Sequence, residues 1–141
     1  MSDVAPPALL GRMRFSGTWR DYQQRALDEF AEHAADRRTH VVAAPGSGKT
    51  VLGLELVRRI GRSALVLAPT RIIRDQWSAR LVPLFLDRPP APDECSHDLA
   101  APADLTCATY QALHAHWADA EGTRFAARIA ALNAGSPVTL V

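Results

Sequence analysis

Residues 43–50 read Ala-Ala-Pro-Gly-Ser-Gly-Lys-Thr, and Lys49 within them is the only lysine of the 141-residue chain. Every other member of the Lys+Arg total of 16 is arginine. A composition this averse to lysine places one where arginine does not serve. A slim ammonium reaches phosphate oxygens as a point charge, where a broad planar guanidinium does not fit. The glycines on either side of Ser47 let backbone N–H groups close around phosphate. On this reading Pro45, Gly46, Ser47, Gly48, Lys49 and Thr50 cradle a nucleotide's phosphates, and the Thr50 hydroxyl meets the Mg²⁺ that rides on them. The flanks agree. Residues 39–43 read as a short buried strand, and a helix from Lys49 to Ile60 is stopped by Gly61. Strand, glycine loop and helix in that order demand an α/β fold.

The rest of the chain alternates in the same way. Residues 1–15, with Pro6, Pro7 and Gly11, read as an extended N-terminal arm, and residues 16–141 as the domain. Residues 19–35 carry a helical pattern, with Tyr22, Ala26, Phe30 and Ala34 on one face beside Leu27 and Ala31, and Thr18 as N-cap. Residues 64–68 form a second buried strand. Pro69-Thr70 opens a helix whose apolar face is Ile73, Trp77, Leu81 and Leu84, and which Pro83 should end or kink. Residues 86–103 are rich in Pro, Asp and Ala, which predicts a surface loop with room for a short strand. A third strand spans 105–108, and a short helix runs from Thr109 through Trp117. A further helix covers 121–134, with Phe125, Ile129 and Leu132 inward and Gly135 as its stop, and a fourth strand begins at 137–141. The sum is a parallel sheet flanked by helices.

The net charge of +1 gives no global basic field, so any nucleic-acid binding has to come from local groups. Two cysteines, Cys95 and Cys107, make no disulfide framework. The apolar stretches are strand-sized and the N-terminus lacks a signal-like run, so a soluble, cytoplasmic protein without a membrane partner is expected. His114 and His116 on one helix point to different faces and no Cys-x-x-Cys exists, so no metal site is expected beyond Mg²⁺ on a nucleotide. Arg58, Arg59 and Arg62 read as a solvated helix end near its negative pole.

Four segments in order carry a resemblance that spans residues 14–141. Ala43-x-x-Gly46-x-Gly48-Lys49-Thr50, with alanine at the first glycine position of the general P-loop pattern, resembles motif I of superfamily-2 helicases and translocases. Arg20-Asp21-Tyr22-Gln23-Gln24 stands where the restriction-enzyme and DNA-repair motors of that superfamily carry their adenine-reading element, with Gln23 26 residues before Lys49. A glutamine amide donates and accepts at once, as the N6/N7 edge of adenine requires. The segment does not match the fuller Q-motif of DEAD-box RNA helicases. Ala68-Pro69-Thr70-Arg71, followed by Asp75-Gln76-Trp77, resembles motif Ia, and Thr106 to Leu113 resembles the Thr-Tyr-Gln segment of the same group.

The resemblance implies a RecA-like P-loop NTPase fold that binds ATP and Mg²⁺, with Arg20 and Gln23 at the base and Lys49 and Thr50 at the phosphates. It further implies that Thr70, Arg71 and Thr109 touch a nucleic-acid backbone, DNA in preference to RNA. Against these stand plainer readings: a helix cap and surface Arg at Thr70-Arg71, an exposed helix polar residue at Gln23, and core packing for Trp77 and for Tyr110.

The family's next motif, the Asp-Glu-x-His box, follows a strand whose apolar lead-in resembles residues 137–141, where this sequence stops. On that resemblance the 141 residues are the front part of a motor domain. They lack the acidic pair, the strand that inserts between the phosphate-loop strand and the box strand, and the second motor domain. The expectation is an incomplete sheet, poor stability, no hydrolysis by this chain alone, and the remainder of the motor as a partner. The alternatives are a nucleotide-binding or interaction module without ATPase activity and, further off, a small P-loop kinase.

Overall fold

The computed structural model describes residues 7–33, 48–118 and 139–140. The strand at 39–43, the loop residues Pro45, Gly46 and Ser47, and the helix at 121–134 lie outside the described residues. The elements in order are α1 (Ala8–Arg12), α2 (Asp21–Glu32), α3 (Lys49–Ile60), β1 (Ala64–Ala68), α4 (Arg71–Phe85), β2 (Cys95–Ser96), β3 (Leu105–Thr109), α5 (Tyr110–Ala118) and β4 (Thr139–Leu140).

The described strands form one sheet in the order β2-β3-β1-β4, and every pairing is parallel. Its centre is the β1–β3 ladder, in register from Ala64–Leu105 to Ala68–Thr109. Both strands are short and apolar, as strands covered on two faces must be. Alternate residues serve opposite faces. Ala64, Val66, Leu105 and Cys107 join the larger core under α1, α3 and α4, whereas Leu65 and Ala108 join a smaller one with Leu99, Ala112 and Leu113. The short strand allowed for in the Pro-rich loop is β2, and β4 lies against Ala64–Leu65 on the other side of β1 from β3. This parallel, helix-flanked sheet is the incomplete RecA-like α/β architecture expected from the motifs.

Several local expectations change. The segment read as an extended arm contains α1, and Leu9, Leu10 and Met13 are buried in the main core. After it the Phe15 and Trp19 rings stack with centroids 3.9 Å apart. Residues 14–16 run beside the end of α4, through Arg14 N–H to Phe85 O and Ser16 N–H to Leu84 O. The buried centre of α2 is Gln23 and Leu27, with Tyr22, Ala26 and Phe30 only half-buried, so the inward face is rotated from the one the apolar residues suggest. Its N-cap is Arg20, and Thr18 is exposed. Pro83 does not end α4, which continues to Phe85. A proline there removes the N–H that would reach the Ala79 carbonyl, and Ala79 is exposed, so water can take that acceptor.

Two buried carboxylates are each held by arginine. Glu55, 2% exposed, receives Arg58 Nε at 3.1 Å and Arg59 Nε at 3.0 Å. Burial alone would raise its pKa, but the two guanidinium groups outweigh burial and lower it. Arg58 and Arg59 therefore neutralise a core acid, which corrects the reading of them as a merely solvated helix end. Glu94 takes a two-pronged bond from Arg12, at 2.9 Å from Nε and 3.0 Å from Nη2, and a third from Ala91 N–H. Asp104 accepts Leu9 N–H at 3.1 Å. These bonds tie α1 to the 86–104 segment. His97 in that segment meets the Ser78 hydroxyl of α4. All the described buried side-chain polar atoms have a partner. No described helix is long and apolar enough to cross a membrane.

The Arg12 and Ala91 hydrogen bonds hold the Glu94 carboxyl down at about 2. A folded-state pKa below the ordinary value means that the stabilisation is fully present above about pH 4.3. It is lost as the pH falls through about 2. Arg12→Ala should lower unfolding stability by about 1–3 kcal/mol at neutral pH. Urea titrations of both proteins at several pH values should show the difference shrinking in acid.

Candidate nucleotide-binding site

Gly48 starts α3 with a φ of 89°, in the left-handed region that a residue without Cβ adopts freely. Space makes the same demand, because a Cβ there would stand 2.6 Å from Gln23 Nε2. Leu52 N–H reaches back to Gly48 O at 3.1 Å and closes the first turn. The N–H groups of Lys49, Thr50 and Val51 precede that bond and have no acceptor within the helix. Gly48 has no side chain with which to cap them. This end of α3 therefore favours an anion, by its free donors and by the helix dipole. Lys49 is the first helical residue and exposed, with Thr50 half-buried beside it.

Gln23 is buried, at 4% exposure, against the same glycine. Its Oε1 accepts Arg20 N–H at 2.9 Å, satisfying a free donor at the start of α2, as the third helical residue of a capping box does. Its Nε2 donates to Gly48 O at 3.1 Å. An amide has two N–H groups and two lone pairs, so one donor and one acceptor remain. Gln23 is thus not the exposed helix residue of the plainer reading.

These groups open onto a cleft of about 710 Å³. One wall holds Arg20, Gln23, Gly48, Lys49 and Thr50. The facing wall is a stripe of α4: Ile73, Gln76, Trp77, Arg80 and Leu84, spaced as one face of a helix. Trp77 closes the floor, since its ring lies where a Cβ on Gly53 would be 2.4 Å from Cη2. The ring packs on the main core, in agreement with its reading as a core residue. Three cations, Arg20, Lys49 and Arg80, line the cleft, and none of the described lining residues is a carboxylate. Gln76 reads in the sequence only as part of the motif Ia segment, and no sequence pattern singles out Arg80. Their spacing from Trp77 was visible, but nothing said that this face of α4 would look onto Lys49.

The other predicted residues lie at the carboxyl ends of the strands. Ala68 and Thr109 are register partners, so Thr70-Arg71 and Thr109-Tyr110 leave the sheet side by side. Both threonines cap helices. Thr70 Oγ1 accepts Ile73 N–H at 3.2 Å, and Thr109 Oγ1 accepts Ala112 N–H at 3.1 Å. Each keeps its O–H free to donate, although Thr109 is buried. Arg71 is exposed. Tyr110 does not pack inside, being 56% exposed, and Ile72 of α4 is 73% exposed. Among the described residues no group of three His, Cys, Asp or Glu could hold a metal. Burial pushes the Cys107 thiol up to about 12.

A parallel sheet with a lone lysine at the start of a glycine-led helix is the framework of a RecA-like P-loop NTPase domain. Residues 16–129 match the family described as "Type III restriction enzyme, res subunit". The chain belongs to that family, and its motifs are those of superfamily-2 helicases. It is 36% identical over 111 residues to the protein of Frog virus 3 named "Putative helicase 055L", covering 71% of this chain and 26% of the viral one. It is 40% identical over 63 residues to "Putative DNA 3'-5' helicase Rad25" of Haloarcula marismortui, covering 45% of this chain and 10% of that protein. The protein of the same name in Halobacterium salinarum is 38% identical over the same length. The chain therefore spans about a quarter or less of these relatives.

The Gly48 geometry yields a direct expectation. Gly48→Ala should cost about 1–2 kcal/mol from the left-handed backbone alone. The added methyl should also displace the Gln23 amide, which chemical denaturation read alongside the side-chain amide NMR signals of Gln23 would reveal.

Proposed function

We propose that this chain is the ATP-binding part of an ATP-dependent helicase or translocase that works on nucleic acid, DNA in preference to RNA. The observation that carries the reading is the cationic cleft at the start of α3, with three uncapped helical N–H groups, Lys49, Arg20 and Arg80, and no carboxylate among its described lining. That donor set fits a polyphosphate. ATP phosphates would sit on the α3 N-terminus together with Pro45, Gly46, Ser47 and Gly48 of the loop, with Lys49 as the point charge. The Thr50 hydroxyl would be a ligand of Mg²⁺, whose chemistry when bound is to neutralise phosphate charge. Gln23 would meet the adenine edge with its remaining donor and acceptor, and Arg20 would border the base. Because the same amide holds Gly48, base occupancy and the phosphate-binding turn would be mechanically linked.

Thr70, Arg71 and Thr109 would follow a nucleic-acid backbone at the carboxyl ends of β1 and β3, where ligands of open α/β sheets gather. Their side-by-side exit from the sheet supports the reading, as do the DNA helicase names of the archaeal relatives.

Isothermal titration of the purified chain with Mg-ATP tests it. Lys49→Ala should weaken binding at least tenfold, and unchanged affinity would remove the site. Gln23→Ala should erase any preference for ATP over GTP. If the chain binds DNA, Arg71→Ala should reduce the salt slope by about one, evenly across sequences. A loss confined to some sequences would contradict backbone tracking.

A further inference from the structure

Resting on the nucleotide reading of the cleft, we infer that Arg80 of α4, with Gln76 one turn before it, is a second phosphate-recognising wall facing Lys49. The motif residues all come from the loop, from α2 and from the start of α3. Arg80 comes from another element and belongs to none of the sequence segments that suggested the site.

Position is the first support. Ile73, Gln76, Trp77, Arg80 and Leu84 form one stripe, and all five line the cleft. The stripe cannot turn away, because Trp77 is wedged on Gly53 and Leu81 and Phe85 are buried in the core behind it. A helix held on both sides presents Gln76 and Arg80 to the cleft at fixed height.

Charge is the second. Four of the described arginines are committed to carboxylates: Arg12 to Glu94, Arg58 and Arg59 to Glu55, Arg74 to Asp75. Arg80 and Gln76 have no hydrogen-bond or ion-pair partner among the described residues, and both are exposed. Arg20, Lys49 and Arg80 thus line a common space with no acid among its described lining. Three like charges around one cleft repel one another until an anion enters. The planar fork of Arg80 suits two oxygens of one phosphate, and the Gln76 amide can donate beside it.

The test is titration of the full 141-residue chain with Mg-ATP, sodium tripolyphosphate, adenosine and a single-stranded oligonucleotide, on wild type, Arg80→Ala, Arg80→Lys and Lys49→Ala. Loss of a charged hydrogen bond predicts that Arg80→Ala weakens ATP and tripolyphosphate about tenfold or more and leaves adenosine unchanged. Arg80→Lys should recover part of the loss, since it keeps the charge without the fork. Circular dichroism of each variant should match wild type, because Arg80 is exposed. Unchanged ATP affinity in Arg80→Ala, while Lys49→Ala still loses it, overturns this inference and leaves the nucleotide site standing. An equal loss for adenosine would make the role structural, and a loss confined to the oligonucleotide would assign Arg80 to nucleic acid; either overturns it. A wild-type chain that binds neither ATP nor tripolyphosphate overturns the nucleotide reading and this one with it.

Discussion

The Gln23 amide accepts the Arg20 N–H and donates to the Gly48 carbonyl, so one buried side chain fixes both the start of α2 and the turn from which α3 departs. Gly48 must be glycine for two independent reasons, its positive φ and its closeness to that amide. The first turn of α3, and with it the direction in which Lys49 points, follows from this joint. A hydrogen bond of this kind contributes only about 1 kcal/mol net. Its larger effect is geometric, because a buried amide with both ends engaged cannot rotate without leaving a polar group unpaired.

Around that joint the molecule is held by buried acids, one paired within its own helix and one across the chain. Glu55 sits inside α3 and draws Arg58 and Arg59 over it. Glu94 draws Arg12 across from α1. Removing one partner of such a pair leaves an uncompensated buried charge, which costs more than the intact pair contributes. Among the described residues Arg12, Arg58, Arg59 and Arg74 are paired with acids, whereas the three cleft cations have no acid in the described lining. The distribution of charge, not its small net value, marks the site.

α4 runs between the two candidate sites. Its first residues, after the Thr70 cap, stand at the strand ends beside Thr109 and Tyr110, and its middle forms a wall of the cleft. A rigid helix with Trp77, Leu81 and Phe85 packed on the core would carry a displacement at one end to the other. The same helix carries the exposed Ile72, which no sequence pattern singles out, because a single exposed apolar residue follows no period.

The sequence by itself determined the α/β class, the ends of α3 at Lys49 and Gly61, the strands at 64–68 and near 105–108, and the family. These rest on local rules: glycine for positive φ, short apolar runs for strands buried on both faces, and a lone lysine in a loop between a strand and a helix. It also placed Thr70 and Thr109 at strand ends, and left open whether they cap or bind. Tertiary structure decided what local rules cannot reach. Leu9 and Met13 of the supposed arm became core, because a helical turn there can cover α3. Arg58 and Arg59 turned onto Glu55, because burial of that acid required partners. Gln76 and Arg80 came to line the same cleft as Lys49, because the Trp77–Gly53 contact sets the rotation of α4. Rotation of a helix about its axis depends on which side chain finds room against a neighbour, and that neighbour lies more than twenty residues away in the chain.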